Sequence, residues 1–344
     1  MRFLRKILLP FSWIYGFVTY LRNLFFNYNL FKIEKVDAFV ISIGNLSVGG
    51  TGKTPHVKFL TKMLSQNYKP GILLRGYGRK SKGYVYVGEH ATPETVGDEA
   101  LIYKKHFGDD VQIAVCESRV EGAKKLLKTK KPPSTIILDD AFQHRHIFRD
   151  LDVLLIDYNR PFWKDLVLPA GDLREFSFGK NRADILIMTK CPEYLSRAEK
   201  LKIRDKINPR DNQHLFFSKI VYGEILPFNK HEFVLPERII LVTGIANPKP
   251  LYEYCSKLSK VNHVKFKDHY DYNEEDLKQI HQLFDKFAEE NKLILTTEKD
   301  YVRLKKIGLF KNTIDYPWFY QCMDIEIDEI DEFKKVVNER IGEV

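Results

Sequence analysis

The chain has 344 residues, 44% of them hydrophobic and 29% charged, with a formal net charge of +9 and a pI near 9.1. It is long enough for two globular domains, and its surplus of cations suits an anionic partner: a phosphorylated substrate, an acidic membrane surface or a nucleic acid. The four cysteines, Cys116, Cys191, Cys255 and Cys322, are far apart and form no C-x-x-C pair, which argues against a zinc site and against a disulfide framework.

Residues 1–32 differ in composition from the rest of the chain. Arg2, Arg5, Lys6, Arg22 and Lys32 are the only charges before Glu34, and the uncharged run between Lys6 and Arg22 carries Phe11, Trp13, Tyr15, Phe17 and Tyr20. That run is shorter than the ~18–20 residues a helix needs to cross a bilayer. It also has no small-residue cleavage site of the kind that ends a signal peptide. A basic, aromatic-rich helix lying in a membrane interface is the favoured expectation, with a helix packed on the protein's own core as its competitor.

The apolar run Ala38–Ile43 leads into Gly44-Asn45-Leu46-Ser47-Val48-Gly49-Gly50-Thr51-Gly52-Lys53-Thr54. A strand, a glycine-rich turn and Gly-Lys-Thr make a phosphate-binding P-loop. Backbone N–H groups from Ser47 through Thr54 curl around phosphate oxygens, Lys53 reaches the β- and γ-phosphates, and the Thr54 hydroxyl suits Mg²⁺. Ser47 stands where the usual pattern has its first glycine. A helix beginning near Thr54 would add the positive end of its dipole.

From there to Lys190, strand-length apolar runs alternate with helix-like stretches: Gly71–Leu74, Gln112–Cys116, Thr135–Leu138, Val153–Ile156 and Asp184–Met188. Their unbroken Val/Ile/Leu character predicts a parallel sheet buried on both faces, which binds ligands beyond the carboxyl ends of its strands. Arg75-Gly76-Tyr77-Gly78-Arg79-Lys80 follows the second run and reads equally as a phosphate loop or a solvated turn. Asp139 and Asp140 end the run Ile136–Leu138, the Walker B position for a metal-holding carboxylate, with Gln143 close behind. Asp98 and Glu99 open a helix-like stretch that either could simply cap. Arg174 and Glu175 close a Pro/Gly loop, either as a surface ion pair or as a phosphate-neutralising cation beside a metal-directed carboxylate.

Beyond Lys190 a charged helix-like segment, Leu195–Lys206, precedes a fresh set of strands, Arg238–Val242 and Lys292–Leu295, with Asn273 capping a predicted helix over Glu274–Asn291. The expected organisation is an N-terminal helix over residues 1–32, a P-loop domain over 33–215 and a smaller α/β domain over 216–344. His269 lies in the polar segment Lys267–Tyr272, where a lone histidine is ordinarily a surface residue.

Taken together, I-G-N-L-S-V-G-G-T-G-K-T-P, L-L-R-G-Y-G-R-K, V-G-D-E, L-D-D-A-F-Q-H-R, L-P-A-G-D-L-R-E, R-A-D-I-L-I-M-T-K, the G-I-A-N-P turn, F-K-D-H-Y-D-Y and L-T-T-E-K-D resemble the tetraacyldisaccharide 4′-kinases of lipid A biosynthesis, over nearly the whole chain. The resemblance implies a P-loop NTPase-like α/β fold, a monomer, and an ATP- and Mg²⁺-dependent kinase held peripherally or monotopically at the cytoplasmic face of the inner membrane. It implies phosphorylation of the 4′-hydroxyl of a lipid A disaccharide 1-phosphate, giving lipid IVA. Carried over by position, Lys53 and Arg174 serve the transferring phosphate, Asp98 is the base and His269 acts with it. Thr54, Asp139, Asp140, Gln143 and Glu175 are the metal-site candidates. Ala141, Asp172 and Phe176 depart from the family's usual pattern. A regulatory GTPase would need an [N/T]-K-x-D loop, which Thr189-Lys190-Cys191-Pro192 lacks; a membrane-bound nucleotide sensor would not need the acidic set; and no motif points to nucleic acid.

Overall fold

A computed structural model describes residues 5–305 and 315–342; Arg2, among the N-terminal cations, lies outside them. Twelve strands form one sheet in the order β10-β9-β11-β12-β8-β7-β6-β1-β5-β2-β4-β3. The central strands are β1 (Phe39–Asn45), β2 (Pro70–Leu74), β4 (Gln112–Val115), β5 (Thr135–Asp139), β6 (Leu151–Asp157) and β7 (Ile185–Thr189), all parallel to their neighbours within this set. Five of these six strands are buried along their whole length, as continuous apolar runs predict, because helices cover both faces. The two-residue β3 (Val85–Tyr86) closes one edge antiparallel to β4.

The junction between the two halves is a single long strand. β8 (His214–Pro227) pairs in parallel with β7 through Phe217, then antiparallel with β12 (Trp318–Ile327) from Ser218 onward, so the sequence boundary between residues 215 and 216 falls inside it. Beyond β12 lie β11 (Lys292–Thr297), β9 (Arg238–Thr243) and β10 (Lys260–Lys265), again parallel. Ile240, Val242, Tyr272, Leu277, Ile294 and Trp318 belong to a core on one side of this end of the sheet. The chain then returns to its first half: Phe333, Val336 and Val337 of the helix Ile330–Gly342 share a core with Ile41, Val57 and Phe216.

Asn273 caps its helix as expected, its Oδ1 accepting from the N–H groups of Glu275 and Asp276. The helix ends at Asp285, short of Asn291. The Lys292 ammonium, at the start of β11, donates to the carbonyls of Phe284 and Phe287, satisfying acceptors that a continued helix would have used. Asn273→Ala should lower the unfolding free energy by about 1 kcal/mol, read as a lower urea midpoint with an unchanged slope.

Candidate active site

The P-loop leaves β1 at Asn45 and enters the helix Lys53–Leu64 through Gly52, whose φ of 89° places the turn in the left-handed region that only glycine adopts freely. Gly49, at φ 98°, turns where the Arg160 guanidinium approaches, a cation that no sequence motif marks. Anchors hold the loop from behind. His56 Nδ1 donates to the Gly52 carbonyl at 2.7 Å and its Nε2 accepts from Ser218 Oγ at 2.9 Å, which fixes the neutral tautomer; burial pushes its pKa down to about 4. Thr189 Oγ1 donates to the Thr51 carbonyl at 2.9 Å. Lys190, in the segment compared with a guanine-reading loop, instead holds the Gly50 carbonyl and Asp157.

β1 and β5 pair with Ile43 opposite Asp139, so the carboxylates ending β5 reach the same edge of the sheet as the P-loop. Asp139 is buried. Its Oδ2 accepts from the Tyr103 hydroxyl at 2.8 Å, and its Oδ1 is a buried acceptor with no partner among the described residues. Burial, and secondarily the charge of Glu99, push this carboxyl up to about 7. Asp140, with φ of 49°, turns toward the cations: Arg174 forks onto both its oxygens at 2.8 and 3.0 Å, and Lys53 Nζ lies 3.7 Å away. Burial would raise the Asp140 carboxyl, but Lys53 and Arg174 outweigh it and hold it low.

Among the described residues there is no cluster of three or more His, Cys, Asp or Glu side chains able to cage a metal. What exists is an orphaned buried carboxylate oxygen on Asp139, whose partner Tyr103 also meets the Thr54 side chain in the first turn of the P-loop helix. This donor set fits Mg²⁺, which keeps several waters and takes phosphate oxygens in preference to an all-protein cage.

Glu175 does not belong to that set. Its four lone-pair sites accept from Arg182 Nη1 and Nη2 at 2.8 Å each, from Asn23 at 2.8 Å and from Gln143 at 3.0 Å, leaving none for a metal ion. Gln143 is likewise committed, its amide donating to the Asn45 carbonyl as well, and its Oε1 accepting from Arg174. The pair therefore joins the N-terminal helix to the P-loop wall. The loop preceding Glu175 joins the P-loop itself: Val48 N–H donates to the Asp172 carbonyl and Arg174 N–H to the Leu46 carbonyl, both at 2.7 Å.

Asp98 opens the helix Asp98–Phe107, whose Tyr103 holds Asp139. The structure brings Asp98 near His269, with Nδ1 at 3.8 Å from Oδ2, and brings Tyr77 of the Arg75–Lys80 loop edge-on to the histidine ring. Between Asp98 and His269 lies Arg303, which donates to Asp98 at 2.7 Å and to His269 Nδ1 at 3.1 Å. Sequence reasoning missed Tyr103, Arg182 and Arg303. Two of them left a trace: Arg182 opens the R-A-D-I-L-I-M-T-K motif, and Arg303 stands three residues after Asp300 of T-T-E-K-D and so on the same helical face.

The helix Leu9–Asn27 is amphipathic in an unusual sense. It turns Ser12, Gly16, Asn23 and Phe26 to the protein and leaves Phe11, Trp13, Ile14, Phe17 and Val18 in the open, Trp13 at 71% exposure. A Cβ on Gly16 would stand 2.5 Å from Phe176, so this approach requires glycine. Arg5 pairs with Asp172 at 3.0 Å, Ser12 accepts from Ala170 N–H, Arg22 donates to the Gln143 carbonyl, and Arg145 reaches Asn23 and Asn27. Among the described residues no helix is long and apolar enough to cross a membrane.

Residues 4–342 match the family described as Tetraacyldisaccharide-1-P 4′-kinase. The chain is similar to the tetraacyldisaccharide 4′-kinases of Flavobacterium johnsoniae (41% identity, 89% of each chain) and Phocaeicola vulgatus (37% identity, 98% of this chain and 94% of the relative). Its fold is similar to the crystal structure of LpxK from Aquifex aeolicus in complex with ATP, with a TM-score of 0.77 at 31% identity over 98% of this chain and 99% of that one.

Glu175→Gln separates a structural carboxylate from a metal ligand. The buried pair with Arg182 should make the variant less stable by about 3 kcal/mol without any nucleotide or metal. Burial would raise the Glu175 carboxyl, but Arg182, Gln143 and Asn23 hold it below the usual carboxylate range. Its stabilisation is therefore present above the unfolded-state pKa of ~4.3 and is lost as pH falls through the lower folded value. Chemical unfolding across acid pH should show that part of the pH dependence missing in the variant.

Proposed function

As a member of the tetraacyldisaccharide 4′-kinase family, the chain is an ATP-dependent kinase of lipid A biosynthesis that phosphorylates the 4′-hydroxyl of a tetraacyldisaccharide 1-phosphate, and we propose that it does so with the P-loop edge of the sheet and Asp98 facing each other across a cleft. The observation that carries this assignment of roles is the helix Asp98–Phe107, which presents Asp98 at its start and secures Asp139 through Tyr103. One rigid element thus sets the acceptor side against the phosphate side.

Phosphoryl transfer passes through a loose transition state, so the chain's work is positioning and charge neutralisation. The bond from the γ-phosphorus to the β,γ-bridging oxygen breaks, a bond to the 4′-oxygen forms, and the 4′-hydroxyl proton passes to Asp98. Backbone N–H groups of residues 47–54 and the helix N-terminus bind phosphate oxygens. Lys53 neutralises charge on the γ-phosphoryl group, and Arg174 joins it from its place on Asp140. Thr54 and Asp139 would hold Mg²⁺, with Asp140 beside them. Bound there, the ion would supply Lewis-acid neutralisation of the charge on the transferring phosphate.

The apolar side of the helix Leu9–Asn27 fits a membrane interface, where the acyl chains of the substrate reside. The anionic inner-membrane surface at its cytoplasmic face is the surface we assign, with the protein a peripheral monomer. The helix is tied through Asn23 and Arg22 to Glu175 and Gln143, so a lipid-bound helix would place the phosphate edge at a set distance from the bilayer. The smaller lobe that closes the cleft carries His269.

Purified protein incubated with the disaccharide 1-phosphate in detergent and labelled ATP should transfer label to the lipid. Lys53→Ala should reduce that turnover about 10²–10³-fold while the protein stays folded; wild-type turnover in this variant would refute the role of the loop. Trp13→Ser combined with Phe17→Ser changes only exposed apolar groups, and should release protein from anionic vesicles in a sedimentation assay while leaving its melting temperature unchanged.

A further inference from the structure

The turn at residues 157–160 leaves β6 and ends in Arg160. β6 runs parallel to β1 with Leu155 opposite Asn45, so the turn arrives at the edge of the sheet where the P-loop begins. Asp157 closes it: its carbonyl accepts from Arg160 N–H at 3.1 Å and its Oδ1 from Asn159 N–H at 2.9 Å, while Tyr158 N–H donates to the Thr189 carbonyl at 2.9 Å. Lys190 ties the turn to the loop, donating to Asp157 Oδ2 at 2.6 Å and to the Gly50 carbonyl. The backbone that carries Arg160 is thus fixed relative to Gly49 and Gly50.

We propose that Arg160 is a second catalytic arginine of the phosphoryl transfer, donating to the γ-phosphoryl oxygens over Gly49. The inference rests on the proposed binding of ATP phosphates by the P-loop. The other arginines around the site are committed: Arg174 forks onto Asp140, Arg182 onto Glu175, and Arg119 donates to the carbonyls of Cys116 and Asp139. Arg160 is partly buried, and its side chain has no acceptor among the described residues. A Cβ on Gly49 would stand 3.1 Å from Arg160 Nη2, and the φ of Gly49 is 98°. Glycine there both makes the turn and leaves the guanidinium its place.

The backbone N–H groups of the loop and this guanidinium are all donors, an arrangement that an incoming anion completes. β5 and β6 flank β1 on opposite sides. Asp140 holds Arg174 at the end of β5, and Arg160 stands beyond the end of β6, so the two guanidiniums approach the loop from opposite sides. In a loose transition state the charge is spread over the oxygens of the transferring group, and two cations on either side of it neutralise more of that charge than one. Neither exchanges a proton. A guanidinium stays ionised at every working pH and contributes through hydrogen bonds that strengthen as charge develops.

The test uses the full-length protein, with detergent-solubilised disaccharide 1-phosphate as acceptor for steady-state kinetics. Two binding measurements accompany it: a non-hydrolysable ATP analogue, and ADP with aluminium fluoride, which imitates the transferring phosphoryl group. Arg160→Met should lower kcat about 10²–10³-fold with the KM for ATP little changed. It should also weaken the binding of ADP with aluminium fluoride far more than that of the analogue, because the interaction is made chiefly in the transition state. Without nucleotide the variant should melt with the wild type, since its side chain gives up no partner. Wild-type kcat overturns the inference, and so does equal weakening of the two ligands. A melting temperature well below that of the wild type also overturns it, because Arg160 would then be a structural residue. Lys53→Ala tests the premise separately: wild-type turnover in it refutes the P-loop reading, whereas lost turnover there beside wild-type kcat in Arg160→Met refutes only the role given to Arg160.

Discussion

Parallel strand order is the constraint on which the phosphate side of this molecule depends. With β1, β2 and β5 running the same way, whatever ends each strand arrives at one edge of the sheet. The register that sets Ile43 opposite Asp139 brings the P-loop and its acidic partner together. Burial of both faces of these strands makes the register costly to change, since a slip would carry Asp139 and Ser42 to places shaped for apolar groups.

Around that edge the charges are arranged in a partnered sequence. Asp140 is shared between Arg174 and Lys53, Glu175 is saturated by Arg182, Asn23 and Gln143, and Lys190 is held by Asp157. The Oδ1 of Asp139 is a deeply buried acceptor left over from this pairing. Buried ionised groups without partners are expensive, so their pairing is expected, and the exception marks where an incoming cation would be favoured. In the mechanism we propose, the Asp140–Arg174 fork is exchanged: a phosphate oxygen offers the same guanidinium an acceptor of higher charge.

The N-terminal helix shows how burial can run against hydrophobicity. Its small and polar side is inside because Phe176 needs Gly16 and because Glu175 and Arg145 need Asn23, while its large apolar side is left outward. In water alone this arrangement forgoes the burial of several large side chains, each about 1.5–3 kcal/mol. The membrane attachment we propose would recover that term. The same helix contacts the wall of the P-loop site, so that attachment and the organisation of the site would use one set of hydrogen bonds.

Local pattern was enough for much of this. The strands came through as unbroken apolar runs, the P-loop as glycines before Lys53 and Thr54, and the cap as Asn273, because each depends on neighbours a few residues away. Family resemblance added Asp98 and His269, which no spacing joins. What tertiary structure alone decided was the partner of each charge. Glu175 reads in sequence as a candidate metal ligand, yet its oxygens are spent on Asn23, Gln143 and Arg182, up to 152 positions away. Arg303 stands 205 positions from the carboxylate it holds, and Tyr103 stands 36 from Asp139. A carboxylate's role depends on which donors fill its lone pairs, and those donors are brought by packing between elements far apart in the chain, which no local signal in the sequence records.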